Sequence, residues 1–222
     1  MISLLLPAGG AGTRFGSAIP KQLLPLAGVP VIRRSLDAFA GLVDEAVVAG
    51  PAGLLDELRA ACAGAPMPVL VVAGGADRQA SVAAALRASR GDRCLVHDAV
   101  RPLVPRRCIA ACLAALDAHV AALVALPCPA TVKRGDAAGL VTATVPRADL
   151  WLAQTPQGFR RAEGLAAFAR AAAEGWVCTD DAEVLERAGY AVQLVEGDPL
   201  NLKITEAGDF ALAEALLLRQ LP

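Results

Sequence analysis

Two cations stand at the end of a glycine-rich stretch near the start of the chain. Arg14 lies in Pro7-Ala8-Gly9-Gly10-Ala11-Gly12-Thr13-Arg14-Phe15-Gly16, and Lys21 lies in the Pro20-Lys21-Gln22 that follows. Glycines let backbone NH groups approach an anion closely, and fixed positive charge adds to the attraction. The chemistry that suits this pattern is the binding of a nucleoside triphosphate, with Gly9, Gly10, Gly12 and Thr13 in the phosphate loop and Arg14 and Lys21 beside the phosphates.

Two familiar phosphate loops do not fit. A P-loop needs a glycine followed by Lys and then Ser or Thr at fixed spacing, which this stretch lacks. A dinucleotide fingerprint needs Gly-x-Gly-x-x-Gly running into a helix. Here Gly10-x-Gly12-x-x-x-Gly16 is too long, and Pro20 interrupts any helix. The second strand ends Ala49-Gly50-Pro51 without the acidic residue that binds a ribose. A nicotinamide oxidoreductase is therefore the rival reading that the spacing disfavours.

The elements that must position this loop follow from the hydrophobic pattern. Continuous apolar runs near 2–6, 45–49, 69–73, 93–97 and 121–126 alternate with helical patterns near 31–40, 52–63, 79–89 and 105–119. Strands apolar on both faces imply helices on both sides of a mostly parallel sheet. The expected fold is α/β, a single Rossmann-like three-layer domain over residues 1–222. In such sheets ligands bind beyond the carboxyl ends of the strands. That rule brings the glycine loop, Gly74-Gly75 and His97-Asp98 to one edge. Asp98 with Arg101 reads either as a substrate contact or as an ion pair at a strand end, and His97 as packed or bonded to backbone.

From 127 to 147 the pattern changes. Thr131-Val132-Lys133 and Leu140-Val141-Thr142-Ala143-Thr144-Val145 flank a polar turn, which predicts a protruding β-hairpin arm. Helices near 160–174 and 180–188, a strand near 190–195 and a helix from about 206 to 220 complete the chain, with Thr179 and Thr205 as expected N-caps.

Composition narrows the partners. The 222 residues carry 21 basic and 22 acidic side chains, a formal net charge of −1 that offers no field for a nucleic-acid backbone. Mean hydropathy is high at +0.49, but charges and prolines break every apolar run short of a membrane span. Cys62, Cys94, Cys108, Cys112, Cys128 and Cys178 include no Cys-x-x-Cys pair, and reduced thiols in the cytoplasm are expected.

Further blocks carry a resemblance. Gly74-Gly75-Ala76-Asp77-Arg78-Gln79-Ala80-Ser81-Val82, His97-Asp98-Ala99-Val100-Arg101-Pro102, Thr155-Pro156-Gln157, Thr179-Asp180-Asp181 and Asn201-Leu202-Lys203-Ile204-Thr205 follow the loop in order. Together they resemble the 2-C-methyl-D-erythritol 4-phosphate cytidylyltransferases. The resemblance implies transfer of a cytidylyl group from CTP to the polyol phosphate with release of pyrophosphate, and it assigns residues. Arg14, Lys21, Arg147 and Lys203 become the catalytic cations, with Arg147 and Lys203 also placing the acceptor phosphate. Pro7, Ala8, Gly75 and Ser81 face the base, while Asp98, Arg101, Thr131, Thr155 and Thr179 lie about the acceptor, Asp98 also beside the metal-bound triphosphate. It further implies Mg²⁺ borne by the triphosphate without a protein carboxylate cage, and a homodimer in which the 127–147 arm carries Arg147 into the partner's site. Two positions depart. Gly9 stands where a second alanine is frequent, and Val100 gives a motif common in the sister enzymes that use ribitol 5-phosphate, so that acceptor is the alternative.

Overall fold

The computed structural model describes residues 1–9 and 19–219. The chain runs β1 (Ile2–Pro7), a short pair β2 (Pro25–Leu26) and β3 (Val29–Pro30), α1 (Val31–Asp37), β4 (Glu45–Gly50), α2 (Leu55–Ala61), β5 (Val69–Ala73), α3 (Arg78–Ala88), β6 (Arg93–Val96), α4 (Arg106–Ala118) and β7 (Ala121–Pro127). It continues through β8 (Val132–Gly135), β9 (Val141–Val145), β10 (Trp151–Arg160), α5 (Arg161–Ala173), α6 (Asp181–Arg187), β11 (Val192–Glu196) and α7 (Ala207–Leu218). The helical pattern near 52–63 resolves into a 3-10 turn, Ala52–Leu54, and then α2.

Among the described residues the main sheet has the order β11-β7-β10-β6-β1-β4-β5. Its pairings are parallel except those of β10, which runs antiparallel between β6 and β7. The sequence reading missed β10. Gln154, Thr155 and Gln157 are buried on it, so no apolar run announces the strand. The ladder with β7 is irregular between Ala153 and Gln157, where the Thr155–Pro156 peptide is cis.

Consecutive strand residues supply opposite faces. Leu4 and Leu6 join a core with Ile32, Leu36, Leu58 and Ile109, so α1, α2 and α4 cover that side. Leu5 joins Val82, Leu86, Phe168 and Val184, so α3, α5 and α6 cover the other. A small separate cluster of Leu26, Val31, Val100, Leu103 and Ile204 seats α7 through Ala213. The expected α/β fold with helices on both faces of a mostly parallel sheet is what forms.

Carboxylates start the helices that border the site. Asp77 caps α3, accepting from Ala80 N–H at 2.7 Å, and Asp180 caps α6, accepting from Glu183 N–H at 2.9 Å. Thr179 and Thr205, the expected caps, each stand one residue earlier, because Asp180 and Glu206 take the cap position. Thr179 instead donates its N–H and hydroxyl to Glu183, and Thr205 does the same to Asp209.

Candidate active site

The ends of β1, β5 and β6 open onto one cleft of about 230 Å³, lined by Pro7, Ala8, Gly9, Lys21, Gln22, Gly75, Asp77, Arg78, Ser81, Asp98, Val100 and Lys203. A second cleft of about 270 Å³ adjoins it, lined by Arg78, Asp98, Arg101, Gln154, Thr155, Gln157, Thr179, Asp180 and Lys203. Arg78, Asp98 and Lys203 border both. Gly10, Gly12, Thr13 and Arg14 lie outside the described residues.

The first cleft is built by close packing at the start of α3. A Cβ on Gly75 would lie 2.3 Å from the Ala80 Cβ, and one on Gly74 would lie 2.7 Å from the Ser81 hydroxyl oxygen. Glycine at both positions lets the loop after β5 lie against the helix. Ser81 then fixes it, accepting from Gly75 N–H at 3.1 Å and donating to the Asp77 carbonyl at 2.8 Å. On the facing loop Ala8 donates its N–H to Ala49 at 2.7 Å, and its carbonyl accepts from buried Gln22, also at 2.7 Å. Gln22 sits beside Lys21 on the turn Lys21–Leu23, so this contact also sets where Lys21 stands.

Asp98 is the electrostatic centre. Its Oδ2 meets Lys203 at 3.0 Å and Arg101 at 3.2 Å, and its Oδ1 meets Arg78 at 3.4 Å. Burial alone would raise the carboxyl's pKa. The charges of Lys203, Arg78 and Arg101 outweigh it and hold the group well below the usual carboxylate range. Asp98 thus forms the ion pair that its place at a strand end suggested, and it also lines both clefts. Arg101 is anchored again by donating to the Asn201 carbonyl at 2.6 Å.

Behind Asp98 a neutral relay fixes the backbone. Asp98 N–H donates to Thr155 Oγ1 at 3.2 Å, and Thr155 Oγ1 donates to His97 Nδ1 at 2.9 Å. His97 Nε2 donates to the Arg101 carbonyl at 3.1 Å, which assigns its proton to Nε2. Burial pushes the imidazole down to about 4 against the opposing pull of the Arg101 carbonyl and Asp98. His97 is therefore neutral, bonded at both nitrogens and in edge contact with Phe39.

The structure gathers Pro7, Ala8, Gly9, Lys21, Gly75, Ser81, Asp98, Arg101, Thr155, Thr179 and Lys203 about the two clefts. Thr131 and Arg147 line neither. Both are exposed on the segment that carries the hairpin β8–β9, with Arg147 donating to the Pro129 carbonyl. Several side chains that the sequence reading left without a role also belong here, among them Gln22, Arg78 and Gln157 on the cleft walls and Asp181 behind Arg78. The blocks Pro20-Lys21-Gln22, Asp77-Arg78-Gln79, Thr155-Pro156-Gln157 and Thr179-Asp180-Asp181 held the signal, since each lies in a motif already singled out.

A mostly parallel α/β sheet with two adjoining clefts that share Arg78, Asp98 and Lys203 suits the class of nucleotidyltransferases. The comparisons with known proteins narrow the class. The sequence model of 2-C-methyl-D-erythritol 4-phosphate cytidylyltransferase matches residues 2–219, and the chain belongs to that family. The enzyme of that name from Deinococcus radiodurans is 47% identical over 214 residues, covering 96% of this chain and 88% of that one. Its counterpart from Symbiobacterium thermophilum is 44% identical over 220 residues, covering 97% and 92%. The crystal structure of the Thermus thermophilus enzyme superposes with a TM-score of 0.81 at 38% identity, covering 96% of this chain and 97% of that chain. A structure from Anaerococcus prevotii described as 4-diphosphocytidyl-2C-methyl-D-erythritol synthase gives 0.84 at 26% identity, covering 98% of each. Membership sets the nicotinamide alternative aside.

Proposed function

We propose that this chain transfers the cytidylyl group of CTP to 2-C-methyl-D-erythritol 4-phosphate, giving the CDP-polyol and pyrophosphate. The observation that carries the reading is the shared wall of Arg78, Asp98 and Lys203, which sets two anion sites side by side. An acceptor phosphate oxygen attacks the α-phosphorus in line, the new P–O bond forms, and the bond to the β-phosphate bridge breaks. That oxygen is ionised at neutral pH, so no general base is required, which accords with a neutral, doubly bonded His97. The obstacle is repulsion between two polyanions, and fixed positive charge lowers it.

Roles follow from place. Lys21, with Arg14, takes the triphosphate and the charge that builds on pyrophosphate. Lys203 takes the acceptor phosphate, and Arg101 holds the Asp98 turn beside it. The hydroxyls of Ser81, Thr155 and Thr179 already donate to Asp77, His97 and Glu183, so they shape the clefts as well as line them. The amino edge of cytosine needs acceptors, and the carbonyls of Pro7, Ala8 and Gly75 at the cleft supply them. Bound to the phosphate oxygens, Mg²⁺ would supply neutralising charge to the triphosphate. Asp77 is engaged as a cap and Asp98 by three cations, and among the described residues no three His, Cys, Asp or Glu side chains gather to hold a metal. An ion liganded by phosphate oxygens and water fits that donor set.

The catalytic unit is one domain, 1–222, with a 127–147 arm that completes the site of a second copy. An isolated two-stranded hairpin is marginal in water, and this one exposes Leu140 at 67% and Val141 at 65%. A second copy would cover those side chains and bring Arg147 and Thr131 to a cleft their own chain does not reach. We place the enzyme in the cytoplasm, where CTP is made and where Cys62, Cys94, Cys108 and Cys112 remain buried thiols; among the described residues no helix is long and apolar enough to cross a membrane.

Val100 does not argue for ribitol phosphate. It packs with Leu26, Val31 and Ile204 and borders the nucleotide cleft, not the acceptor cleft. The test is pyrophosphate release by the purified protein with each of four nucleoside triphosphates, crossed with methylerythritol phosphate, ribitol phosphate and a sugar 1-phosphate. CTP with methylerythritol phosphate is the expected pair. Preference for ribitol phosphate would overturn the acceptor, and preference for another nucleotide would overturn the base assignment.

A further inference from the structure

We propose that Arg78 is a positioning residue of the transfer: it fixes the Asp98 carboxylate and, through it, aims Lys203 at the acceptor phosphate. The inference rests on the reading of the two clefts above and deepens it.

Arg78 is the first residue of α3, directly after the Asp77 cap. Its guanidinium spans two elements, Nε to Asp98 Oδ1 after β6 at 3.4 Å and one terminal nitrogen to Asp181 Oδ2 on α6 at 2.7 Å. The two oxygens of Asp98 are thereby divided. Arg78 takes one, and Lys203 with Arg101 takes the other. The Lys203 side chain is 40% exposed on a flexible stem, so the direction of its ammonium is set by the oxygen it meets. With Arg78 in place that oxygen is kept for Lys203 and Arg101. Without Arg78, among the described residues Oδ1 loses its ion-pair partner, the carboxylate is free to turn, and Lys203 follows it.

Asp181 serves the same end. It is 1% exposed and lines neither cleft, yet it gives an oxygen to Arg78. A buried carboxylate in that place tethers the guanidinium so that its remaining reach is toward Asp98. The neighbouring Gln79 strengthens the frame, donating to the Trp176 carbonyl at 3.1 Å and accepting from Cys178 N–H at 3.1 Å. The first turn of α3 therefore holds both the Asp98 carboxylate and the segment that leads to Thr179.

A purely structural Arg78 would do no more than neutralise Asp181, and the two roles separate experimentally. Removing Arg78 alone strands a buried carboxylate, so the informative protein is the double variant Arg78→Met with Asp181→Asn, compared with Arg78→Lys and the parent. Melting temperature, kcat with both substrates saturating, and KM for each substrate are measured. The expected result is a double variant that melts near the parent and has a kcat lower by about 100-fold, the loss that misplacement of a reacting group brings. Arg78→Lys keeps the charge but cannot span two carboxylates, and is expected to lose at least about tenfold in kcat. A kcat within about threefold of the parent in either folded variant overturns the proposal, as does a loss confined to KM for CTP. Failure of the parent itself to transfer cytidylyl would overturn the reading of the clefts instead.

Discussion

Replacing His97 with glutamine should flatten the dependence of stability on acid. His97 is fully buried, with Thr155 at Nδ1 and the Arg101 carbonyl at Nε2. Burial pushes its imidazole down to about 4, although the Arg101 carbonyl and the Asp98 charge pull the other way. In the unfolded chain the same group titrates near 6.5. The folded state therefore binds its proton later as pH falls. Stability from the neutral ring is fully present above pH 6.5 and is lost as pH drops toward about 4. Between pH 7 and pH 5 the linkage amounts to about 2 kcal/mol from this residue alone. Asp98, whose charge acts on the ring, keeps that charge across the interval because three cations hold it ionised. Urea unfolding of the parent and of His97→Gln at both pH values gives the difference directly. The variant starts lower because a hydrogen bond is lost, but that offset cancels in the comparison. Equal loss in both proteins would refute the claim that this histidine is kept neutral by burial.

Lys203→Met should lower kcat/KM for the acceptor by about a hundredfold to a thousandfold while leaving the melting temperature near the parent, because Asp98 keeps Arg78 and Arg101; steady-state kinetics beside a thermal melt check it. Gly75→Ala should cost about 1–3 kcal/mol of stability, since the new Cβ meets the Ala80 Cβ at 2.3 Å and its carbonyl carbon at 3.0 Å. It should also raise KM for CTP far more than KM for the acceptor. For the arm, chains carrying Arg147→Met and chains carrying Lys203→Met, each inactive alone, should recover roughly a quarter of parental activity when co-refolded, because half the dimers are mixed and each mixed dimer has one intact site. No recovery would confine Arg147 to its own chain.

How much of this was legible in the sequence differs between elements, and the difference has a physical cause. β1, β4, β5, β6 and β7 are apolar on both faces because helices cover both sides, and a continuous apolar run survives reading without a structure. β10 is central too, but it borders the second cleft, so Gln154, Thr155 and Gln157 replace apolar residues on it and the run disappears. A strand that builds a polar site erases its own signal. The N-caps show a related limit: Thr179-Asp180 and Thr205-Glu206 each offer two oxygen-bearing side chains, and only geometry decides which one accepts. The glycine pair after β5 was legible as a break at a strand end, but its close approach to α3 was not. Gln22 and Asp181 lie in motifs already singled out, yet their partners Ala8 and Arg78 come from other motifs and only the fold pairs them.

On the proposed assignment of the two clefts, the ion cluster explains how a site for two polyanions can stand before either arrives. Arg78, Arg101 and Lys203 converge within hydrogen-bonding range of one carboxylate. At an effective dielectric near 20, two like charges about 4 Å apart repel by about 4 kcal/mol, so these three cations would not stay together unaided. Asp98 and Asp181 offset most of that repulsion and leave a net positive charge in the cluster, to which Lys21 adds from the nucleotide side. On that assignment an entering acceptor phosphate would compete with Asp98 for Lys203, so binding would exchange one anion for another rather than desolvate a bare cation. The carboxylate stays ionised through this exchange because Arg78 and Arg101 remain on it. Asp98→Asn should therefore damage the acceptor site more than loss of one hydrogen bond would suggest: three cations spread apart, and Lys203 loses the contact that aimed it.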